Sequence, residues 1–320
     1  MRLSIDQTPV FMRTFRHGSE MKDNAPLASV IIPCRDHARA LARCLDSVVT
    51  QTLDDAFEVI VVDAAADERV AAVVRKYPVV RVVRSATALL PGAARNLGAA
   101  SSTGELLVFI DADCGAESDW LASAIESLRS GARIVGGAVL HGEPWHPVAV
   151  IDNMMQFSDL AAGRPRGSAR LLPSCNLALA RADFMSLGGF PSVTLPAGED
   201  VLFSQAALAK WPDGMLFEPT MRVRHFGRRA LGQLWTHQEL FGFVRATYAI
   251  ELDSRYRRWG RFVFMAPAVA LKRLCYIAWR AACWHPISLA AMTVWSPILV
   301  YAMIAWCAGF RRGCETARHS

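Results

Sequence analysis

The sequence predicts an α/β fold with a mostly parallel sheet, followed by a C-terminal helical region that associates with a membrane. The first prediction rests on short β-branched and apolar runs that alternate with segments of helical composition up to residue 111. The second rests on a long uncharged run near the C-terminus and on a mean hydropathy of +0.22. A chain of 320 residues is long enough for one large domain with a membrane appendage.

Four apolar runs are predicted to be strands, at residues 28–33, 57–63, 79–83 and 105–111. The segments between them, residues 36–50, 67–76 and 91–100, have the composition or spacing of helices. Parallel βα units are connected with a right-handed crossover, and they bind ligands beyond the carboxyl ends of their strands. We therefore expect the functional residues at those ends.

The composition excludes two classes of protein. Apolar residues make up 52% of the chain and charged residues 20%, which is too hydrophobic for a disordered protein. Eight cysteines without a C-x-x-C spacing are too few and too scattered for a disulfide-stapled secreted domain. Reduced thiols that hold no metal are the expected state.

Three regions are predicted along the chain. Residues 1–26 form a polar tail without the apolar segment of a signal peptide, which predicts that the main body stays in the cytoplasm. Residues 27–250 form the α/β domain, and residues 251–320 form the membrane-associated helical region. Residues 281–310 contain no Asp, Glu, Lys or Arg, so we expect a transmembrane helix at about 286–310, kinked at Pro297. The alternative is a buried helix of a soluble domain.

Positive charge is concentrated in the C-terminal region. Residues 255–320 carry ten basic residues and one acidic residue, whereas the rest of the chain carries 25 basic and 28 acidic residues. Basic clusters beside apolar runs are typical of contact with anionic lipid rather than nucleic acid, and residues 262–271 suit a helix in the membrane interface. We therefore expect membrane lipids and no nucleic acid among the partners. The expected location is the cell membrane, with a single-pass or hairpin anchor and the main body on the cytoplasmic side.

An acidic pair, Asp111 and Asp113, follows the buried strand predicted at residues 106–110. In an extended segment these two carboxylates project to the same side, where their hard oxygens suit Mg²⁺ or Mn²⁺. The small Ala112 between them leaves room for a ligand. The alternative is a polar loop that caps a helix starting near Glu117.

A second acidic pair, Glu199 and Asp200, precedes an apolar helical stretch at residues 201–208. Acidic residues at this position stabilise a helix N-terminus, which is the structural interpretation. The functional interpretation is a carboxylate that takes a proton from a hydroxyl group. Because the ordinary pKa of aspartate is about 3.9, that role requires desolvation or tight coupling to the reaction.

The order of these motifs resembles glycosyltransferase family 2, whose members have the GT-A fold. The resemblance covers roughly residues 28–243, and it rests on the ordered set rather than on any single motif. The matching positions are Pro33 after the first strand, Asp63 at the end of the second, Gly92-Ala-Ala-Arg-Asn96, Asp111-Ala-Asp113, Ser174-Cys-Asn176 and Glu199-Asp200.

The resemblance implies a metal-dependent, inverting transfer from a nucleotide-sugar to a glycan or lipid-linked acceptor. It implies that Asp200 is the general base and that a divalent cation, Mg²⁺ or Mn²⁺, is the cofactor. Asn176 and His225 also have structural interpretations, since such an Asn often satisfies backbone groups and such a His often ends a strand. The implied donor-binding residues are Pro33, Asp63, Arg95, Asp111 and Asp113, the acceptor-binding residues Glu199 and Asn176, and the metal ligands Asp111, Asp113 and His225.

Two departures from the family pattern limit what the resemblance implies. Ala64 stands where many members have a second acidic residue that contacts the nucleobase of the donor, so the identity of that nucleobase is not predicted. The segment that starts at Gln238 lacks the Arg and Trp of processive synthases, which favours transfer of a single sugar. Two other functions remain as alternatives: a sugar-1-phosphate nucleotidyltransferase, and an inactive membrane-bound scaffold that binds nucleotide-sugars.

Overall fold

The computed structural model describes residues 25–35, 38–64, 68–252 and 265–319. Their contacts divide the chain into two compact units. The first contains the described residues up to 138 together with 166–194 and 199–224, and the second contains 139–165, 195–198 and those after 224. The predicted division of the chain into a domain at residues 27–250 and a helical region at residues 251–320 stays a prediction. The polar tail predicted at residues 1–26 lies almost entirely outside the described residues.

A nine-stranded sheet runs in the order β3-β2-β1-β4-β8-β6-β9-β5, with β7 paired to β9. Strands β1 to β4 are parallel, and β8 is antiparallel to both β4 and β6. The four predicted strands are confirmed to within about one residue at each end. The strands are β1 (Ala28–Cys34), β2 (Phe57–Asp63), β3 (Val80–Arg84), β4 (Leu106–Ile110), β5 (Cys114–Ala116), β6 (Ile134–His141), β7 (Gly167–Ser168), β8 (Asn176–Ala180) and β9 (Met215–His225).

Helices connect the strands of the first unit where the sequence predicts them. The helix expected near Glu117 begins three residues later, at Trp120, and the Glu117 N–H donates to the carbonyl of Arg222 in β9 (3.0 Å). The helices of this unit are α1 (Ala38–Val49), α2 (Glu68–Val74), α3 (Pro91–Ser101), α4 (Trp120–Arg129), α6 (Arg181–Ser186) and α7 (Glu199–Lys210).

Helix α3 lies close against the sheet because Gly98 has no side chain. A Cβ atom at this position would lie 2.5 Å from Cγ2 of Ile31 in β1 and 3.0 Å from Cγ2 of Val62 in β2. Arg95 precedes Gly98 by three residues, so both lie on the same face of α3. The close packing therefore places the Arg95 side chain beside the sheet rather than in solvent.

The second unit is built from helices. Their common core contains Met154 and Leu234 together with Met303, Trp306 and Phe310. Gly309 lets the last helix approach helix α8 closely, since a Cβ atom there would lie 1.8 Å from the carbonyl oxygen of Glu239. The helices are α5 (Pro147–Phe157), α8 (Leu231–Leu252), α9 (Ala266–Trp284), α10 (Pro286–Val294) and α11 (Ser296–His319), with a short 3₁₀ helix at Ser158–Leu160.

The prediction of one kinked helix at about 286–310 is wrong in its geometry. The segment forms two helices, α10 and α11, which meet at Trp295 with a bend of 89°. Pro297 is the second residue of α11, where its missing N–H costs no hydrogen bond, and in a continuous helix its ring would clash with the carbonyl of Thr293. Among the described residues, no single helix is long and apolar enough to span a membrane. The bent pair of α10 and α11 together has the length and the apolar composition of a span.

Candidate functional site

The carboxyl ends of β1 and β2 hold two of the predicted donor-binding residues. Pro33 is half-buried in β1, and Asp63 is the fully buried last residue of β2. The Asp63 carboxylate pairs with Arg84 of β3, with Oδ2 and Nε 3.3 Å apart. The Ala64 N–H donates to the carbonyl of Cys34 (2.9 Å), which ties the two strand ends together. Asp63 therefore lies beneath the surface of this edge.

The Asp111-Ala112-Asp113 segment is a turn, not the extended stretch that the sequence predicts. The Cys114 N–H donates to the carbonyl of Asp111 (2.9 Å), which closes the turn between β4 and β5. Burial raises the pKa of Asp111, the charge of Asp113 adds to this rise, and the guanidinium of Arg95 opposes it. The two acidic residues are thus close enough for their charges to repel each other.

The chemistry of this turn fits a divalent cation that also binds phosphate. Mg²⁺ and Mn²⁺ prefer carboxylate oxygens, and Mg²⁺ is commonly held by one or two carboxylates plus the phosphates of the substrate. Within the described part of the chain, no group of three His, Cys, Asp or Glu side chains is arranged to hold a metal. Two neighbouring carboxylates such as Asp111 and Asp113 can share a cation with a bound diphosphate, which would supply further oxygen ligands.

Helix α7 begins at the second acidic pair and separates the environments of its two members. Glu199 is buried and faces Arg95, whereas Asp200 is half-buried. Burial and the neighbouring charge of Glu199 raise the pKa of Asp200 to about 7. A carboxylate with such a pKa is a far better proton acceptor near neutral pH than an ordinary aspartate. The local structure thus supplies the desolvation that a general base requires.

Arg95 links the two acidic pairs. Its side chain is about 3% exposed; one terminal nitrogen donates to Asp111, and the other donates to Oε1 of Glu199 at 2.8 Å. The Ser174 hydroxyl also donates to Oε1 of Glu199 (3.4 Å). Burial disfavours the charged guanidinium, but Asp111 and Glu199 hold the pKa of Arg95 above its ordinary value. No local sequence pattern predicts this bridge, because Arg95 and Glu199 are 104 positions apart.

Asn176 is fully buried and uses both ends of its amide inside the sheet. Its Oδ1 accepts from the indole N–H of Trp120 (2.8 Å), and its Nδ2 donates to the carbonyls of Ala138 and Met221 (both 3.0 Å). With no exposed surface and these three partners, the amide stabilises the sheet. This geometry favours the structural interpretation of Asn176 over contact with an acceptor.

His225 ends β9 and belongs to the second unit. Its side chain is buried, and its ring meets the ring of Phe157 edge to face, with centroids 5.1 Å apart. Its carbonyl accepts a hydrogen bond from the N–H of Gly142 (2.9 Å). Its role as a metal ligand stays a prediction.

Residues 29–162 match the model of the family described as "Glycosyl transferase family 2". A curated relative is the glycosyltransferase AglE of Haloferax volcanii, which is 26% identical over 185 residues. The matched region covers 56% of this chain and 60% of that relative, so the chain spans about three fifths of the relative's length.

Two solved structures share the fold. One is the mannosyltransferase PcManGT from Pyrobaculum calidifontis in complex with GDP-Man and Mn²⁺, which is 19% identical with a TM-score of 0.55 over 93% of this chain and 87% of that one. The other is TarS 1-349 from S. aureus in complex with UDP-GlcNAc, which is 16% identical with a TM-score of 0.53 over 91% of each chain. The predicted GT-A fold is confirmed by these similarities.

Proposed function

We propose that the protein moves a single sugar from a nucleotide-sugar to a hydroxyl of a glycan or a lipid-linked acceptor, in keeping with the match of residues 29–162 to glycosyltransferase family 2. The observation that carries this proposal is the arrangement around Arg95. It joins a carboxylate pair suited to a metal-bound diphosphate to a helix N-terminus that holds an aspartate with a pKa of about 7. Sugar transfer needs both features close together, because the diphosphate leaves the anomeric carbon while the acceptor hydroxyl loses its proton.

The proposed reaction assigns a separate task to each carboxylate pair. Asp200 takes the proton of the acceptor hydroxyl as its oxygen bonds to the anomeric carbon. The bond between that carbon and the nucleoside diphosphate breaks on the opposite face, so the configuration inverts, and the transition state has oxocarbenium character by analogy with glycoside hydrolysis. A divalent cation held by Asp111 and Asp113, with His225 as a further predicted ligand, would neutralise the charge of the departing diphosphate.

Glu199 and Arg95 act on the reaction through their neighbours. The charge of Glu199 raises the pKa of Asp200, and Arg95 lowers it. Arg95 also fixes the side chain of Glu199, which leaves Asp200 as the acidic residue of α7 that is accessible to an acceptor. We therefore propose Arg95 as a positioning residue between donor and acceptor, with Pro33 and Asp63 beside the nucleoside.

Two structural similarities support a nucleotide-sugar donor and leave its base open. The PcManGT structure contains GDP-Man and Mn²⁺, and the TarS structure contains UDP-GlcNAc. Ala64 is buried at the position where an acidic residue would contact a base. We also propose that the enzyme works at the cell membrane, on the cytoplasmic side, with residues 251–320 as its attachment.

Donor binding gives the first test, because a ligand that binds only the native state raises the melting temperature. We expect one class of nucleotide-sugar to stabilise the purified protein in the presence of Mn²⁺ or Mg²⁺, and a chelator to remove the effect. Asp113→Ala should abolish this stabilisation without lowering the melting temperature of the free protein. The measurement is a thermal shift across a panel of nucleoside diphosphates and nucleotide-sugars.

Asp213→Ala is the matched control, since Asp213 is an exposed residue of a turn in the same unit. This variant should keep the full stabilisation by donor and metal. Stabilisation that persists in Asp113→Ala would remove Asp113 from the donor site. Absence of any shift with any donor in the folded wild-type protein would contradict a nucleotide-sugar site, whereas a shift without turnover would favour the scaffold alternative.

A further inference from the structure

The exposed surface of the second unit between residues 266 and 310 is almost entirely apolar. Lys272 is the single charged residue with an exposed side chain in this range, and the hydroxyl groups of Thr293 and Ser296 are the other strongly polar ones. A protein surface in contact with water normally carries many charged side chains. The remaining exposed residues are Pro267, Ala268, Leu271, Cys275, Tyr276, Trp279, Ala282, Cys283, Pro286, Ile287, Leu289, Ala290, Val294, Pro297, Val300 and Ile304.

Helix α11 differs from helices α9 and α10 in where its apolar residues point. Most of its large apolar side chains, including Met303, Trp306 and Phe310, pack in the core of the second unit. Helices α9 and α10 place Ile277 and Met292 in that core but leave other large apolar side chains outside it, with Trp279 56% and Ile287 78% exposed. Most large apolar side chains of α11 are thus covered by protein, whereas α9 and α10 each leave large apolar side chains exposed.

The exposed side chains of α9 occupy one face of the helix. Leu271, Cys275 and Trp279 are spaced by four residues, and Tyr276 lies beside them. Lys272 is on the same face, and its ammonium lies 6.0 Å from the centre of the Tyr276 ring. Leu271, Cys275, Tyr276 and Trp279 of α9, with Ile287 and Val294 of α10, are called the apolar face below.

Basic residues accompany the apolar face, and two of them also form ion pairs, Arg280 with Asp159 (3.1 Å) and Arg312 with Glu239 (3.0 Å). Lys272 lies on it, Arg280 of α9 is 5.9 Å from the Tyr276 ring, and Arg311 and Arg312 are exposed on α11. Glu315 is the single acidic residue from position 254 to the end of the chain. Exposed Trp and Tyr beside basic side chains match the layer where lipid headgroups meet acyl chains.

We propose that the apolar face docks the second unit in the plane of a bilayer surface that contains anionic lipid. Trp279 and Ile287 enter the boundary between headgroups and acyl chains, and Lys272 extends to the phosphates. The bend of 89° between α10 and α11 lets α10 lie along that surface while α11 stays packed against α8. This inference deepens the membrane part of the proposed function and does not depend on the transfer reaction.

The test is sedimentation of the full-length protein with vesicles. We expect the wild-type protein to bind phosphatidylcholine vesicles that contain about one third phosphatidylglycerol, and to bind pure phosphatidylcholine more weakly. The double variant Trp279→Glu, Ile287→Glu should bind the anionic vesicles at least about tenfold more weakly, because two charges would have to enter an apolar layer. Both side chains lie outside the core, so the variant should keep its melting temperature.

Trp145→Glu is the matched control, since Trp145 is 88% exposed in the same unit but lies outside the apolar face. This control should bind vesicles as the wild type does. Equal binding by the double variant and the wild type would overturn the proposal. The proposal would also be overturned if the wild-type protein did not bind vesicles but formed a dimer that the double variant did not form. The apolar face would then bind a second copy of the chain.

Extraction of native membranes with alkaline carbonate tests the docking in the plane against a true span. Docking in the plane predicts that carbonate releases the protein, and retention in the pellet would contradict it. The donor thermal shift measured on the same preparation keeps the two proposals separate. A protein that binds donor and metal but not vesicles would refute the docking surface and leave the proposed reaction standing.

Discussion

Asp200→Asn is expected to reduce the rate of sugar transfer by about a thousandfold, within the range that general-base catalysis contributes. The amide keeps the size of the side chain but cannot take the proton of the acceptor. Donor binding should be unchanged, because the metal and the diphosphate are assigned to Asp111 and Asp113. Initial rates of transfer and the donor thermal shift measure the two effects separately.

The same variant should melt at or above the temperature of the wild type at pH 8. Burial raises the pKa of Asp200 in the folded protein to about 7, above the value in the unfolded chain. The folded state therefore loses stability as pH rises toward and through 7, and Asn removes that loss. Asp213→Asn, in an exposed turn, should change neither rate nor stability. Full activity in Asp200→Asn would remove Asp200 as the base.

Arg95→Met is expected to lower stability by about 3 kcal/mol or more, because it leaves Glu199 buried without its cation. Asp111 loses the same partner, although its side chain is about one third exposed and regains some contact with water. Arg95 lowers the pKa of Asp200, so its loss should move the acid limb of the pH–rate profile above 7. Thermal unfolding and the pH dependence of transfer are the two measurements.

Arg129→Met is the control for this prediction, since Arg129 forms an exposed ion pair with Asp55 (3.0 Å). Such a pair contributes at most about 1 kcal/mol, so this variant should lose little stability. Arg95→Lys keeps the charge but cannot reach two carboxylates in the same way, and it should fall between wild type and Arg95→Met. An Arg95→Met enzyme with an unchanged pH profile would contradict the positioning role.

The sheet could be predicted from the sequence because its strands are short, β-branched and separated by helices with clear patterns. The same patterns do not predict the bend of 89° within residues 286–310, because a long uncharged run is typical of one continuous helix. Apolar composition is shared by a membrane span and by a helix such as α11 that packs in a protein core. The close approach of Gly309 to Glu239 of α8 joins segments far apart in the sequence, and no local pattern predicts that contact.

The acidic pairs of the site could be predicted, but the link between them could not. Asp111 and Glu199 are each marked by their position at the end of a strand or the start of a helix. Their joint contact with Arg95 depends on how closely α3 approaches the sheet, which Gly98 permits. The raised pKa of Asp200 likewise depends on burial that the sequence does not show. One sequence feature does point to the link: Arg95 is the only charged residue of α3, a helix made mostly of small residues.

Product analysis of donor turnover tests the central claim most directly. The purified protein is incubated with the nucleotide-sugar that stabilises it, a divalent cation and a lipid or glycan acceptor extract, and the nucleotide products are separated by chromatography. We predict that wild-type protein releases nucleoside diphosphate as the acceptor gains one sugar, and that Asp200→Asn releases almost none. Consumption of sugar-1-phosphate and nucleoside triphosphate with release of pyrophosphate, or no turnover at all, would contradict a glycosyltransferase.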